Sequence, residues 1–332
     1  MNAVAQALTG LRIGDLVTHE GLTMHPLVRA SLIGKDYLTL DEALKQNVAR
    51  VTEISESGSV PQLLFRNHGE QAVFLLDGEE LVGAKQNRVL NITILAPAGK
   101  DTVIPVSCVE AGRWRHSTTE FASASRAQYS ASRAKKAARV SESLAYCSEA
   151  RSDQGEVWND IADKMSRFSS HSATSAVEKV FEDNETTLHD YVKYLHCVDG
   201  QVGAVFTVKG RLAGMELFDS AETCRLLMPK IIRSYALDAI DPGYNGAVNA
   251  AISTPEELLK CVAESRYSSH EAVGEGQDLR FDSTPGIAGG ALFARDRIIH
   301  ACVFVSADQR RTGDNDRYHT SASLRRRFRR VA

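Results

Sequence analysis

Over the first third of the chain, apolar and polar positions alternate in short runs with the period of strands. Branched and aromatic residues fill segments 22–28, 51–56, 62–67, 72–76, 89–96 and 102–109, and Gly21, Pro26, Gly58, Pro61, Gly69, Gly78, Pro97 and Pro105 punctuate them. One helix interrupts. Thr39-Leu40-Asp41-Glu42 has the form of a capping box, whose hydroxyl and carboxylate satisfy free amides at the start of a helix reaching about residue 47. From 121 to 143 the chain turns to Ser, Ala and Arg with little aliphatic content, which predicts a mobile or weakly helical segment made basic by Arg126, Arg133, Lys135, Lys136 and Arg139.

Helical spacing returns with Trp158, Ile161, Ala162 and Met165, then with Val177, Val180 and Phe181, predicting two helices between 155 and 193. A hairpin follows, 204–208 with 212–218, turned at Lys209-Gly210. Pro229 should kink or split the long helix 221–240, because it lacks an N–H and crowds the preceding turn. Thr254-Pro255-Glu256-Glu257 starts another helix with a cap, a proline at the first position and acids at the positive end of the dipole. A last hairpin joins 289–294 to 298–305 through Arg295-Asp296. The two hairpins resemble each other no more than hairpins in general do, so they are not an internal repeat.

These elements predict an α+β fold: an antiparallel, β-rich, sandwich-like N-terminal half packed with a C-terminal half of mixed helices and hairpins. The expected divisions are 1–118 for the β-rich half, 119–150 for the basic Ser/Ala/Arg insert, 151–308 for the mixed half within the same compact domain, and 309–332 for an Arg-rich tail. At 332 residues the chain has about twice the ~150-residue prior for one domain, enough for a full core. Apolar residues at 43% and charged residues at 24% argue against disorder, and a net charge of −3 points to no dedicated nucleic-acid binder. Contact with nucleic acid through the insert or the cluster Arg325-Arg326-Arg327-Phe328-Arg329-Arg330 stays open. The start lacks a secretory pattern and no run of eighteen apolar residues occurs, which predicts a cytoplasmic protein with no membrane span. Strands with exposed edges leave a homo-oligomer open.

The candidate chemistry lies in two polar clusters within apolar text. The first is Leu75-Leu76-Asp77-Gly78-Glu79-Glu80-Leu81-Val82-Gly83-Ala84-Lys85-Gln86-Asn87-Arg88-Val89-Leu90, and the second is Pro105-Val106-Ser107-Cys108-Val109-Glu110-Ala111-Gly112-Arg113-Trp114. Strand alternation would put Lys85, Asn87 and Val89 on one face and Gln86 and Arg88 on the other, unless Gly83 introduces a bulge. Neighbouring antiparallel strands would bring the clusters together. Lys85, Arg88 and Arg113 then suit phosphate oxygens, Glu79 and Gln86 extend the polar lining, and Trp114 offers a stacking face. Glu80 and Glu110 could accept from ribose hydroxyls or act as a catalytic acid and base. The same residue types also suit ion pairs that stitch a sheet edge.

Elsewhere the signals are weaker. Six cysteines show no CxxC and no short Cys/His spacing, so the common zinc-finger and thioredoxin signatures are absent and no metal ligands are assigned. Cys108, between valines of a predicted strand, reads as a buried inert thiol, although Lys85 and Arg113 could activate it. Gly274-Glu275-Gly276 lacks the third glycine of a dinucleotide fingerprint, and there is no GxSxG. His189 and His196 read as core or surface, and His19 with His25 lacks a carboxylate to complete a metal set. No cofactor follows from these residues.

The two central clusters resemble the signature of the ARG and rhodanese-phosphatase-superfamily-associated protein domain, a bacterial family. Gly21-Leu22-Thr23 with His25-Pro26-Leu27, Gln154-Gly155-Glu156-Val157-Trp158, Leu212 to Phe218 and Ser234 to Ala239 fit the same pattern. The resemblance runs from Leu11 to Val305 and omits the basic insert and the tail. Its name records genomic association with ADP-ribosylglycohydrolases, rhodaneses and phosphatases, which implies a role in handling ADP-ribose, NAD-derived or related phosphorylated ligands. The expectation is therefore a module that binds or senses such a ligand. The alternatives are a hydrolase or transferase using Glu80 and Glu110 on the same ligand class, and a protein or nucleic-acid scaffold.

Overall fold

The computed structural model describes residues 2–307; the Arg-rich cluster at 325–330 lies outside them. The described chain is α+β, with its strands almost wholly antiparallel. In the largest sheet Arg12–Ile13, Leu22–Val28, Gln201–Val208, Arg211–Phe218, Arg297–Val305, Ile287–Ala294, Gln277–Arg280 and Ser268–Glu271 lie in that order, with Val17–His19 also paired to Leu22–Val28. A second sheet runs Phe121–Ala127, Glu79–Gly83, Arg88–Leu90, Asp101–Cys108, Gln62–Asn67, Ala49–Thr52. A third places Val73–Leu75 between Ile94–Ala96 and Leu38–Thr39, the last pair being parallel. Leu22–Val28 pairs along its length with Gln201–Val208, so the two halves of the sequence share one sheet.

Both predicted hairpins form at the expected turns. Lys209 and Gly210 (φ 50° and 75°), like Arg295 and Asp296 (φ 52° and 59°), have the positive dihedrals of the two-residue turns whose twist matches antiparallel strands. The capping box at Thr39 is present, with Thr39 Oγ1 accepting from the Glu42 N–H and Glu42 accepting from the Thr39 N–H, and Thr254 with Glu257 repeats it. Helix Ala221–Ile240 stays one helix through Pro229. Its Cys224, Leu227, Met228, Ile231 and Tyr235 all enter the main core, and this tertiary packing outweighs the ~3 kcal/mol a proline costs a helix interior.

The stretch 121–143 is neither mobile nor weakly helical. It forms the strand Phe121–Ala127, paired with Glu79–Gly83, and the helix Ser130–Cys147, whose inner face carries fully buried Arg133 and Lys136. Composition suggested a solvated segment because the acids that neutralise these cations, Asp77 and Glu216, lie far away in sequence. Segment 89–96 divides between two sheets, as Arg88–Leu90 and Ile94–Ala96, and the region 155–193 holds three helices, Gln154–Phe168, Glu178–Asp183 and Glu185–Tyr194. Among the described residues no helix is long and apolar enough to cross a membrane.

Candidate functional site

Gly83 (φ 133°) and Ala84 (φ 38°) leave the extended conformation, so the strand Glu79–Gly83 ends in a loop at residues 84–87 before Arg88–Leu90 returns beside it, with Leu81 opposite Arg88 and Glu80 opposite Val89. The alternation expected of Lys85, Gln86 and Asn87 is therefore replaced by a loop. Gly83 is required there. A Cβ at this position would lie 2.6 Å from Thr118 Oγ1 and 2.7 Å from the Glu120 carbonyl oxygen. The strand Asp101–Cys108 pairs with Arg88–Leu90, Cys108 opposite Arg88, and the two polar clusters converge as anticipated.

Around this loop the charged groups are held tightly. Arg113 grips Glu110 through two bonds, Nε to Oε1 at 2.8 Å and Nη2 to Oε2 at 2.6 Å. Its remaining donors reach the carbonyl oxygens of Gly83, Ala84 and Arg115, Ser117 Oγ and Asn87 Oδ1, so they close the loop. Glu110 also accepts the Asn87 N–H at 3.0 Å. Burial favours its neutral form, but the hydrogen bonds from Arg113 and Asn87 outweigh burial and hold its pKa below the ordinary carboxylate value. The Lys85 ammonium donates to the carbonyl oxygens of Glu56 and Ser57 and lies 5.3 Å from the centre of the Trp114 ring. Gln86 donates to the Glu110 carbonyl oxygen and accepts from the Cys108 thiol at 3.2 Å.

Glu80 and Glu79 point apart, as strand neighbours must. Glu80, fully buried, takes Nε and Nη2 of Arg126 at 2.6 and 3.2 Å; Arg126 in turn reaches Glu178, which accepts from Asn87. Burial raises the Glu80 pKa by more than Arg126 lowers it. Glu79 meets Lys230 at 2.5 Å and the Ser123 hydroxyl at 3.0 Å, on the side facing helix Ala221–Ile240. Sequence reasoning passed over Arg126, Glu178 and Lys230. Arg126 sat in the segment read as mobile or weakly helical, and Glu178 and Lys230 lie far beyond the motif in sequence.

Arg88 differs from the other cations of the loop and, unlike the buried Arg133 and Arg280, makes no ion pair among the described residues. Its side chain is wholly buried, yet Nε and Nη2 have no hydrogen-bond partner among the described residues. Burial lowers its pKa, and the nearby Cys108 and Glu53 oppose that effect. Glu53 is itself buried, with one oxygen accepting the Lys85 N–H and the other without a hydrogen-bond partner among the described residues. The ring of Trp114, 48% exposed, covers Arg88 with its centre 5.7 Å from Cζ. Cys108 is a buried thiol whose pKa burial raises against the pull of Arg88. Gln154 holds both backbone groups of Cys108 at 2.8 Å and also lines a cleft of about 540 Å³ with Val60, Pro61, Ser107, Lys135 and Arg151.

The molecule is thus an α+β domain whose motif builds an internally paired charged loop around the buried Arg88 guanidinium, two of whose nitrogens have no hydrogen-bond partner among the described residues. The chain belongs to the ARG and Rhodanese-Phosphatase-superfamily-associated Protein domain family, whose model matches residues 10–304. No curated protein and no solved structure matches it.

Proposed function

We propose that the chain is a binding, or sensing, module for a phosphorylated, nucleotide-derived ligand of the ADP-ribose class, seated at Arg88. The observation that carries this reading is the pair of unpartnered nitrogens on the fully buried Arg88 guanidinium, which, unlike those of Arg133 and Arg280, faces no carboxylate at ion-pair distance among the described residues. Leaving a charged donor unmet in the interior costs on the order of 1–3 kcal/mol or more, and a phosphate oxygen is the partner a guanidinium takes best. The unpartnered oxygen of Glu53 acts on the same spot and suits a hydroxyl donor, so a phosphorylated sugar satisfies both. Trp114 supplies the exposed ring face for a base, and the genomic association that the family name records fits the same ligand class.

Binding without turnover fits better than acid–base catalysis. Glu110 is held ionised by Arg113 and Asn87. Glu80, the carboxyl with the raised pKa, has both oxygens occupied by Arg126. The scaffold alternative is weakened, since three of the insert's five basic residues, Arg126, Arg133 and Lys136, are spent on buried ion pairs.

Thermal-shift and calorimetric titration with ADP-ribose, AMP and inorganic phosphate test the reading, with Arg88→Ala and Arg88→Lys in parallel. ADP-ribose should raise the midpoint, Arg88→Ala should abolish the shift, and Arg88→Lys should retain part of it, because only binding to the folded state stabilises it. An unchanged midpoint with every phosphorylated ligand, or a shift that survives in Arg88→Ala, overturns it.

A further inference from the structure

We propose that Glu216, His300 and Cys302, with Asp77 as fourth donor, form a metal site for a zinc-type divalent ion in the core of the domain. Strands Arg211–Phe218 and Arg297–Val305 are antiparallel neighbours with Glu216 opposite Cys302 and Phe218 opposite His300. Strand alternation therefore sends Glu216, His300 and Cys302 to one face. Their ligating atoms lie within 4.8 Å of one another, with Glu216 Oε2 3.0 Å from His300 Nε2. Asp77 descends onto this face from the turn before the strand Glu79–Gly83 and puts Oδ2 3.7 Å from Cys302 Sγ. Metal–ligand bonds of ~2.0–2.3 Å in a tetrahedron imply donors ~3.3–3.8 Å apart, so small side-chain shifts suffice to bring Glu216, His300 and Cys302 onto one ion, and Asp77, already at that spacing from Cys302, turns in to complete the set.

What surrounds the donors is what a metal site needs. His300 Nδ1 is 2.8 Å from Thr93 Oγ1, which fixes the ring with Nε2 toward Glu216. The outer oxygen of Glu216 accepts from Arg133 at 2.6 Å, and the outer oxygen of Asp77 pairs with Lys136 at 2.9 Å. Three of the four ligands are thus oriented by an outer partner. The four donor residues are at most 3% exposed, as suits a closed structural site. A thiol amid two carboxylates (Asp77, Glu216) and three cations (Arg133, Lys136, Arg280) is a weak hydrogen-bonding choice, whereas a thiolate is a strong ligand for a borderline-soft ion. Binding forms one bond from each donor to the ion and releases the Cys302 proton to solvent, with no change of oxidation state. Because the donors are enclosed, the ion enters as the chain folds. The spacing rules missed this set because Glu216 and Cys302 meet only through strand pairing.

The test uses the full chain without a histidine tag. Metal analysis of the protein as isolated, and again after refolding in Zn²⁺, should give about one ion per chain. Refolding in Co²⁺ should give the visible bands of tetrahedral cobalt with a near-ultraviolet thiolate charge-transfer band. Cys302→Ser should lose the charge-transfer band and His300→Gln the stoichiometric ion, while Cys147→Ser, at an exposed position, keeps both. Wild-type protein refolded in Zn²⁺ and Co²⁺ with neither a stoichiometric ion nor a charge-transfer band overturns the proposal whether or not the variants fold. So does a full complement of ion in Cys302→Ser and His300→Gln.

Discussion

Asp241, at the C-terminal end of helix Ala221–Ile240, faces the negative end of the helix dipole, yet it is almost fully buried and ionised. Lys164 Nζ at 2.7 Å, Arg167 Nε at 2.9 Å and the Gly243 N–H at 2.9 Å make this tenable. Burial works against the charge, but the Arg167 and Lys164 contacts outweigh it and bring the pKa from the ordinary 3.8 to about 2. A shift of that size corresponds to ~2.4 kcal/mol at ~1.36 kcal/mol per unit. Arg167 is 35% exposed, so solvent screening reduces the figure to ~1.5–2.4 kcal/mol. A group with a depressed pKa stabilises fully above its unfolded value and loses that contribution as the pH falls toward its folded value. Asp241→Asn should therefore destabilise by ~1.5–2.4 kcal/mol at pH 7, by roughly half as much at pH 3, and by little near pH 2. Urea denaturation of both proteins across that range measures it. A loss below ~0.5 kcal/mol at pH 7, or one that stays constant down to pH 3, refutes the reasoning.

Three further outcomes follow from the geometry. Lys230→Met strands buried Glu79 and should cost ~3–5 kcal/mol, with Glu79→Gln restoring much of it in the double variant; denaturation midpoints that show no rescue would separate Glu79 from Lys230. Gly83→Ala must hold a positive φ with a Cβ against Thr118 and Glu120, and a loss under ~1 kcal/mol would show that the loop yields easily. Iodoacetamide followed by peptide mass spectrometry should label exposed Cys147 well before Cys108, whose thiol is buried and raised; equal rates would mean that the motif loop opens freely.

Local physics decided much of this protein in advance. The capping boxes at Thr39 and Thr254 and the turns at Lys209-Gly210 and Arg295-Asp296 need only near neighbours, and they lie where the pattern puts them, whereas the strand expected at 51–56 is Ala49–Thr52 and the one at 89–96 divides in two. The convergence of Arg88, Cys108, Glu110, Arg113 and Trp114 was legible too, because the two strands are close in sequence and pair directly. Which charges are free was not legible. Arg88 and Arg113 look alike in the sequence, and only the folded loop shows that Arg113 spends its donors on Glu110 and backbone oxygens while Arg88 keeps two unmatched. The basic stretch misled for the same reason. Arg133 and Lys136 belong inside because Asp77 and Glu216 wait there, and burying a charge is favourable only where a partner is already buried. Sequence sets the local conformations and the residue types on offer; long-range pairing alone decides which charges meet.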